Sequence, residues 1–494
     1  MGQSEINEEC GICGVSVKEN APQLIYKMLI QMQHRGQLSA GITTFHPHDP
    51  QILKTHKDLG LVNNVFRAEH KGKFNSIMAN HASSRAIGHV RYATSGVDDA
   101  GYAQPFEHRH GKKNRWFSFC FNGNISNYAE LKSWLKKQNY HLIHETDTEV
   151  IQHLLSKAIK ETSNFKKSFY ELSQKLDGAY NIAFMNAEGT IIAARDPLGF
   201  KPLCYSIMNG ELAFASESVA LSSIGFTDIV DLPPGHLIIK EGDDIRIEKY
   251  CDPKRKAHCF FEWIYFAHAA SKIDGHLVYE VRRKLGTELA KLETQKIGPD
   301  CVAVAVPNSS TPAGDGFAEA LNIPFREGLI RNRYIGRTFI ESKNRGEKVK
   351  DKFTVIPEVV EGKRVFLIED SIVRGTTLKN LIEYIRRVGK PKEIHVRVSC
   401  PPIKWPCFYG IDMSSKKELI AAREEDYKKM VAGLEKELGA DSIIYQTIPN
   451  LVKSIGFEEK DLCLACLNGN YPTDCGNRLK HFDKECRACE SIKK

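Results

Sequence analysis

Residues 365–377, VFLIEDSIVRGTT, end an apolar run on two carboxylates, Glu369 and Asp370, and then pass through Ser371, Arg374, Gly375, Thr376 and Thr377. Carboxylates at the carboxyl end of a strand can grip sugar hydroxyls directly or through Mg²⁺. Small residues opening a helix offer backbone N–H groups and hydroxyls to a phosphate. The segment suits a phosphorylated sugar, and the plainer alternative is a strand-to-helix turn with a Thr cap. A second set lies in the first 150 residues: Cys10 in EECGICGV, Arg35 and Gly36 in QHRGQLSAGI, Arg91 in GHVRYAT, Asn122 and Gly123 in FNGNISN, and Asp147 in TDTEV. Taken singly these read as a redox CxxC, a hairpin turn and surface charges.

The elements that must carry these residues change style along the chain. Up to about residue 250 the sequence runs in short β-rich stretches such as SAGITTF, IGHVRYAT, WFSFCFNGN, YNIAFMN and TIIAARD, with helical NYAELKSWLKKQ among them. That reads as packed antiparallel sheets. From about residue 300, continuous apolar runs at 302–306, 364–368 and 394–400 alternate with helical segments, as buried parallel strands of an α/β domain do. Leu378, Leu381, Ile382 and Ile385 recur at helical spacing, and the pattern stops at Gly389 before Pro391. A seam occupies residues 250–300, and cysteines dominate the tail beyond 450.

The 494 residues suffice for two or more cores. With 42% hydrophobic, 26% charged and 9% aromatic residues the composition is globular, and no apolar run is long enough to span a bilayer. The start MGQSEINEE has no secretory core, so the expected address is the cytoplasm. A net charge of +8 on interleaved basic and acidic residues suits a small anionic substrate at least as well as nucleic acid.

The thirteen-residue acidic string resembles the phosphoribosyl pyrophosphate (PRPP) signature of type I phosphoribosyltransferases. The resemblance gives the ribose to Glu369 and Asp370 and the 5′-phosphate to residues 371–377. VPNSSTPAG at 306–314 belongs with it, and Mg²⁺ is expected at Ser309, Glu369 and Asp370. Residues 331–352, with eight basic residues against three acidic, look like the lid of such enzymes. The earlier set resembles the N-terminal-nucleophile glutamine amidotransferases. If residues 1–9 are a propeptide, Cys10 becomes the terminus, and its α-amino group, with a pKa near ~8, can act as base for its thiol. By the same resemblance Asn122 and Gly123 stabilise the oxyanion, Arg91 takes the glutamine carboxylate, Asp147 takes its ammonium, and Arg35 and Gly36 shape the pocket. Cys13 reads as a buried small apolar residue.

The expected architecture is therefore an α+β N-terminal-nucleophile hydrolase sandwich (αββα) over 10–250, then an α/β type I phosphoribosyltransferase domain over 251–450, then a cysteine-rich tail over 451–494. This order resembles the glutamine PRPP amidotransferases, in the processed, iron–sulfur-containing branch of that family. The resemblance implies glutamine and PRPP as substrates, purine nucleotides as feedback inhibitors and a homo-oligomer, by resemblance a tetramer. Two stretches depart from the family pattern: Asn308 stands where Asp or Glu is usual, and His268-Ala269-Ala270-Ser271 replaces Arg-Pro-Asp-Ser. A divergent paralogue acting on another phosphosugar, or a metal-bearing regulator sensing PRPP, also fits the residues.

Fourteen cysteines without a secretory signal suggest metal ligands, catalysis or buried thiols. Cys463, Cys466, Cys486 and Cys489 have the spacing of a four-thiolate zinc site, which local pairing favours. The resemblance instead joins Cys259, Cys407, Cys463 and Cys466 around a [4Fe–4S] cluster and leaves Cys475, Cys486 and Cys489 spare. Both sets remain open on the sequence.

Overall fold

The computed structural model describes residues 10–92, 99–144, 146–162, 164–253, 255–332, 352–413 and 415–482. Two antiparallel sheets face each other in the first half. The seven-stranded sheet has Gly11–Ser16 between Glu211–Ala215 and Arg85–Arg91, with Ser39–Phe45 beyond the latter. The six-stranded sheet has Gly178–Asn186 between Ile191–Arg195 and Phe117–Ile125.

Alternating side chains from the two sheets meet in one layer, where Ile12, Ile87 and Phe214 of the first pack with Cys120, Ala183, Met185 and Ile238 of the second. The outer faces are covered by helices. Ala21–Gln31 turns Ile25, Met28 and Leu29 onto the first sheet, and Asp147–Glu161 turns Val150, Ile151, Leu154 and Leu155 onto the second. The layers run helix, sheet, sheet, helix, which is the expected sandwich. Cys13 is wholly buried in the first sheet.

The second half is built on four parallel strands in sequential order: Cys301–Ala305, Arg364–Glu369, Glu393–Val398 and Ser442–Tyr445. Both faces are covered, so the strands read as continuous apolar runs. Val278–Ala290 and Thr311–Leu321 pack together and help cover one face, while Thr376–Gly389 and Tyr427–Leu438 cover the other. Thr376–Gly389 buries Leu378, Leu381, Ile382 and Ile385 and ends where Lys390 turns left-handed at φ 46 before Pro391, as the spacing predicts.

Much of the 250–300 stretch is structured. His258–Cys259 pairs in parallel with Leu462–Cys463, and Val278–Ala290 is a helix of the second core. The chain beyond residue 450 returns to that core through Leu451 and Ile455. Residues 333–351, most of the expected lid, lie outside the described residues. Their base is a hairpin of Leu329–Arg331 with Phe353–Val355, extended by the Asn332 N–H donating to the Lys352 carbonyl at 3.0 Å. Among the described residues no helix is long and apolar enough to cross a membrane.

Candidate functional site

Cys10 lies at the open end of the Gly11–Ser16 strand, and Arg91 ends the neighbouring Arg85–Arg91 strand. The Phe117–Ile125 strand of the opposite sheet supplies Asn122 and Gly123, and Asp147 opens the helix capped by Thr146, whose side chain accepts from the Glu149 N–H. Cys10, Arg91, Gly123 and Asp147 thus come from four elements and line one cavity. Tyr92, Tyr102, Gln104, Phe106, Phe121, Thr146 and Thr148 complete the wall.

Asp147 is half-buried and opens onto this cavity, yet desolvation pushes its carboxyl up to about 6 despite the Thr148 and Ile125 backbone donors and the Arg91 charge. The cationic and anionic groups of the cavity match the two charged ends of a free amino acid. Asn122 is buried and donates through Nδ2 to Ser216 Oγ at 3.4 Å, and that hydroxyl also accepts from the Ile12 N–H at 3.0 Å. Gly123 has φ 153, and a Cβ there would stand 1.9 Å from the Ala179 carbonyl oxygen, so only glycine fits.

Gly36 and Arg35 stand behind the cavity. A Cβ on Gly36 would lie 2.6 Å from the Arg91 carbonyl carbon, so this glycine lets the chain pass directly under Arg91. The Arg35 side chain points away from the cavity. It is 1% exposed, its Nε donates to the Cys10 carbonyl at 3.2 Å, and its other nitrogens reach Glu217 at 2.6 Å and Glu262 at 2.8–3.0 Å. It therefore supports the nucleophile's backbone and ties the first domain to the second.

In the second domain Glu369 and Asp370 end the Arg364–Glu369 strand, and Gly375 caps the helix that starts at Thr376. Asp370 is buried and accepts hydrogen bonds from the Ser309 and Ser371 hydroxyls, the latter at 2.6 Å, while half-buried Glu369 beside it accepts from the Asp370 N–H at 3.1 Å. Burial raises the Asp370 carboxyl above its ordinary range, against the pull of those hydroxyls and of Arg282 and Lys352. Ser309 is thus brought to the acidic pair from a loop more than fifty residues away in sequence. These oxygen donors are of the hard kind that Mg²⁺ takes.

Thr376 is exposed and Thr377 half-buried at the helix start, the end of a helix whose dipole favours a phosphate. Arg374, in the same string, pairs its guanidinium with Glu418 through Nε at 2.9 Å and reaches the Asp412 carbonyl at 3.4 Å through Nη2. The His268–Ser271 departure lies where the two domains meet, for the His268 N–H and the Ser271 hydroxyl both donate to Glu217 Oε2, at 2.8 and 2.7 Å.

A second cavity collects thiols. Cys259, Cys407, Cys463 and Cys466 all line it, with Phe200, Tyr409, Ile411, Ala465 and Tyr471. Parallel pairing sets Cys259 opposite Cys463, which overcomes two hundred residues of sequence separation. Among the described residues no three His, Cys, Asp or Glu side chains close on a point suited to one ion. Four thiols around an apolar hollow are a donor set for a larger group such as an iron–sulfur cluster. Cys475 is buried elsewhere, its N–H on Asp177 at 3.1 Å, and Cys486 and Cys489 lie outside the described residues. This cavity adjoins the first site, because Asn124, next to Gly123, donates to the Phe408 carbonyl at 2.8 Å and Tyr409 stacks on Phe200.

Sequence reasoning did not find Tyr102, Gln104, Phe106, Thr146, Thr148 or Ser216 as parts of the first site. Only Thr146, an N-cap three residues before a Glu, carried a local signal.

A model of the glutamine amidotransferase domain matches residues 89–223. The amidophosphoribosyltransferase of Methanothermobacter thermautotrophicus is 39% identical over 99% of both chains, and that of Bacillus subtilis is 38% identical over 95% of both. The solved B. subtilis glutamine PRPP amidotransferase, complexed with ADP and GMP, superposes with a TM-score of 0.82 at 36% identity, covering 94% of this chain and 98% of that one. A structure described as the allosteric regulatory enzyme of purine biosynthesis gives 0.84 at 37% identity, over 94% and 97% of the two chains. With both cavities in place and this similarity running from end to end, the chain belongs to the amidophosphoribosyltransferase family.

Proposed function

We propose that this chain converts glutamine, PRPP and water to 5-phosphoribosylamine, glutamate and pyrophosphate, the first step of purine nucleotide synthesis. The observation that carries the reading is the convergence of Cys10, Arg91, Gly123 and Asp147 on one cavity, in a chain that also sets Ser309 against Asp370. Arg91 holds the glutamine carboxylate and Asp147 its ammonium, which aims the side-chain amide at Cys10. The thiol, deprotonated by the terminal amine, attacks the amide carbon while Asn122 and the Gly123 N–H receive the oxyanion. Ammonia leaves, and water releases glutamate from the thioester. In the second domain Glu369 and Asp370 hold the ribose and residues 371–377 the 5′-phosphate, so that ammonia displaces pyrophosphate from the anomeric carbon. Arg374 reaches that phosphate by exchanging Glu418 for it.

Mg²⁺ at Ser309, Glu369 and Asp370 would offset pyrophosphate charge. Purine nucleotides act as inhibitors, a homo-oligomer is the working form, and the cytoplasm is the site of action. Steady-state PRPP-dependent glutaminase assays with identification of the sugar product test the reaction. Glutamine hydrolysis with no phosphoribosylamine from either glutamine or ammonia would refute it.

The Asp147 assignment makes a pH prediction. Its carboxylate form binds the ammonium, and that form is lost as pH falls through about 6. kcat/KM for glutamine should therefore steepen by about tenfold per unit below that value, beneath the separate limb that the terminal amine sets near ~8. Bound ammonium favours the ionised carboxylate, so the corresponding limb in kcat should lie at lower pH. Asp147→Asn should remove the steeper limb together with most glutamine affinity. A steeper limb that survives the substitution would assign it to another group.

Cys259, Cys407, Cys463 and Cys466 would hold the [4Fe–4S] cluster, which would supply a structural staple joining the 250–300 seam, the second domain and the tail. Protein purified without oxygen should contain about four irons per chain with matching sulfide and a broad visible band near the cluster's usual range. One zinc and no iron would instead favour the tail cysteines as the metal site.

A further inference from the structure

The residue just before Asn122 is held by side chains rather than by a neighbouring strand. Phe106–His108 pairs with residues 117–119 and stops, because the next residue is Pro105, which has no N–H to give. In an antiparallel ladder the N–H and carbonyl of one residue point to the same edge, so this stop leaves both groups of Phe121 open. Gln104 and His89 take them. The Phe121 N–H donates to Gln104 Oε1 at 2.7 Å, and its carbonyl accepts from His89 Nε2 at 3.1 Å.

His89 comes from the opposite sheet, where its strand neighbours are Ile12 and Gly41, and it is wholly buried. Burial pushes the pKa of its ring down to about 3, so the ring is neutral, and the bond to a carbonyl puts its proton on Nε2. Nδ1 has no partner among the described residues. An apolar side chain would fill that place without stranding a nitrogen, so what the imidazole adds is its donor to Phe121. Gln104 is fixed in turn. Lys57 Nζ donates to the carbonyls on either side of it, Ala103 at 2.6 Å and Pro105 at 3.2 Å, and stands 4.7 Å from the centre of the Phe106 ring. A Cβ on Gly41 would lie 2.2 Å from the Gln104 carbonyl oxygen, so that glycine lets the chain close on this point.

We propose that His89 and Gln104 are positioning residues of the oxyanion site, which hold the backbone of Phe121 and so fix where the Asn122 amide and the Gly123 N–H point. Oxyanion donors act only when aimed at the place where charge will develop. Gly178–Asn186 grips their strand on one edge, and without the two side chains the other edge would be free to turn at Phe121. His89 works from inside the sandwich, behind the wall that Gln104, Phe121 and Gly123 give to the cavity. The inference rests on the glutamine step proposed above.

The test is His89→Leu in the full, metal-replete chain with PRPP present. Glutaminase kcat should fall by about 10- to 100-fold, short of the ~10²–10³-fold that outright loss of an oxyanion donor costs, with KM for glutamine within about 2-fold of wild type. Alkylation by iodoacetamide, read at the Cys10 peptide, needs no oxyanion and should keep its wild-type rate, as should ammonia-dependent phosphoribosylamine formation. His89→Gln, whose amide N–H can reach the same carbonyl, should restore part of kcat. Gln104→Met, which removes the acceptor for the Phe121 N–H, should lower kcat in the same way and serves if His89→Leu does not fold. A wild-type kcat in the variants, a loss that appears in KM or in the alkylation rate instead, or a His89→Gln no better than His89→Leu overturns the inference. Wild-type protein that releases no glutamate from glutamine overturns the reaction itself, whereas a wild-type rate kept by His89→Leu overturns only the role of His89.

Discussion

Cys10→Ala is expected to remove glutamine-dependent phosphoribosylamine formation by about 10⁴-fold or more, since loss of a covalent nucleophile leaves only binding and oxyanion contacts to act on the amide. Ammonia-dependent formation should remain near wild type, because Cys10 lines the cavity of the first domain, where its thiol sits 3.7 Å from the Tyr92 carbonyl, and not the sugar site. The variant tests more than a nucleophile. If the terminal amine is the base, the active chain must start at Cys10, and intact-mass measurement should show residues 1–9 absent from active wild-type protein and retained in Cys10→Ala if cleavage is self-catalysed. Fully active protein that keeps Met1 would assign the base to another group. Loss of ammonia-dependent transfer in the variant would show that the substitution had damaged the domain contact that runs through the Cys10 carbonyl and Arg35.

The parts that were legible in the sequence share a property: the residues that decide them are close together in the chain. The helix Thr376–Gly389 follows from four apolar residues at helical spacing and from Gly389, and the parallel strands follow from unbroken apolar runs that only a sheet covered on both faces needs. The catalytic string around Cys10, Arg91, Asn122 and Asp147 was readable through resemblance, and Cys10, Arg91 and Asp147 line one cavity.

What was not legible depends on partners far apart. Nothing near QHRGQ shows that the Arg35 fork is taken by Glu217 and Glu262, about two hundred residues later, so a pocket role was the natural expectation. Arg374 sits within the phosphate string but is held by Glu418, outside it. Spacing alone favoured the local cysteine pairs of the tail, yet Cys463 and Cys466 face Cys259 and Cys407, because a two-residue parallel ladder brings His258–Cys259 alongside Leu462–Cys463. The His268–Ser271 departure gives no local sign of Glu217, which it meets at the domain joint through a backbone N–H and a serine hydroxyl; of the four side chains only that of Ser271, which the family pattern also has, takes part.

Asp370→Asn should weaken PRPP use by about 10²-fold while leaving basal glutaminase measurable. The substitution is nearly isosteric, and both groups that now donate to the carboxylate are hydroxyls, from Ser309 and Ser371. A hydroxyl can rotate to accept from an amide as readily as it donates to a carboxylate, so the buried site stays hydrogen-bonded and the fold should survive. What disappears is the negative charge that would grip the ribose hydroxyls and Mg²⁺, and charged hydrogen bonds are worth about 1.5–3 kcal/mol each. Titration of PRPP against both reactions reads this loss, since weaker binding is overcome at high PRPP while basal glutaminase needs none. Unchanged PRPP affinity would remove Asp370 from the sugar site.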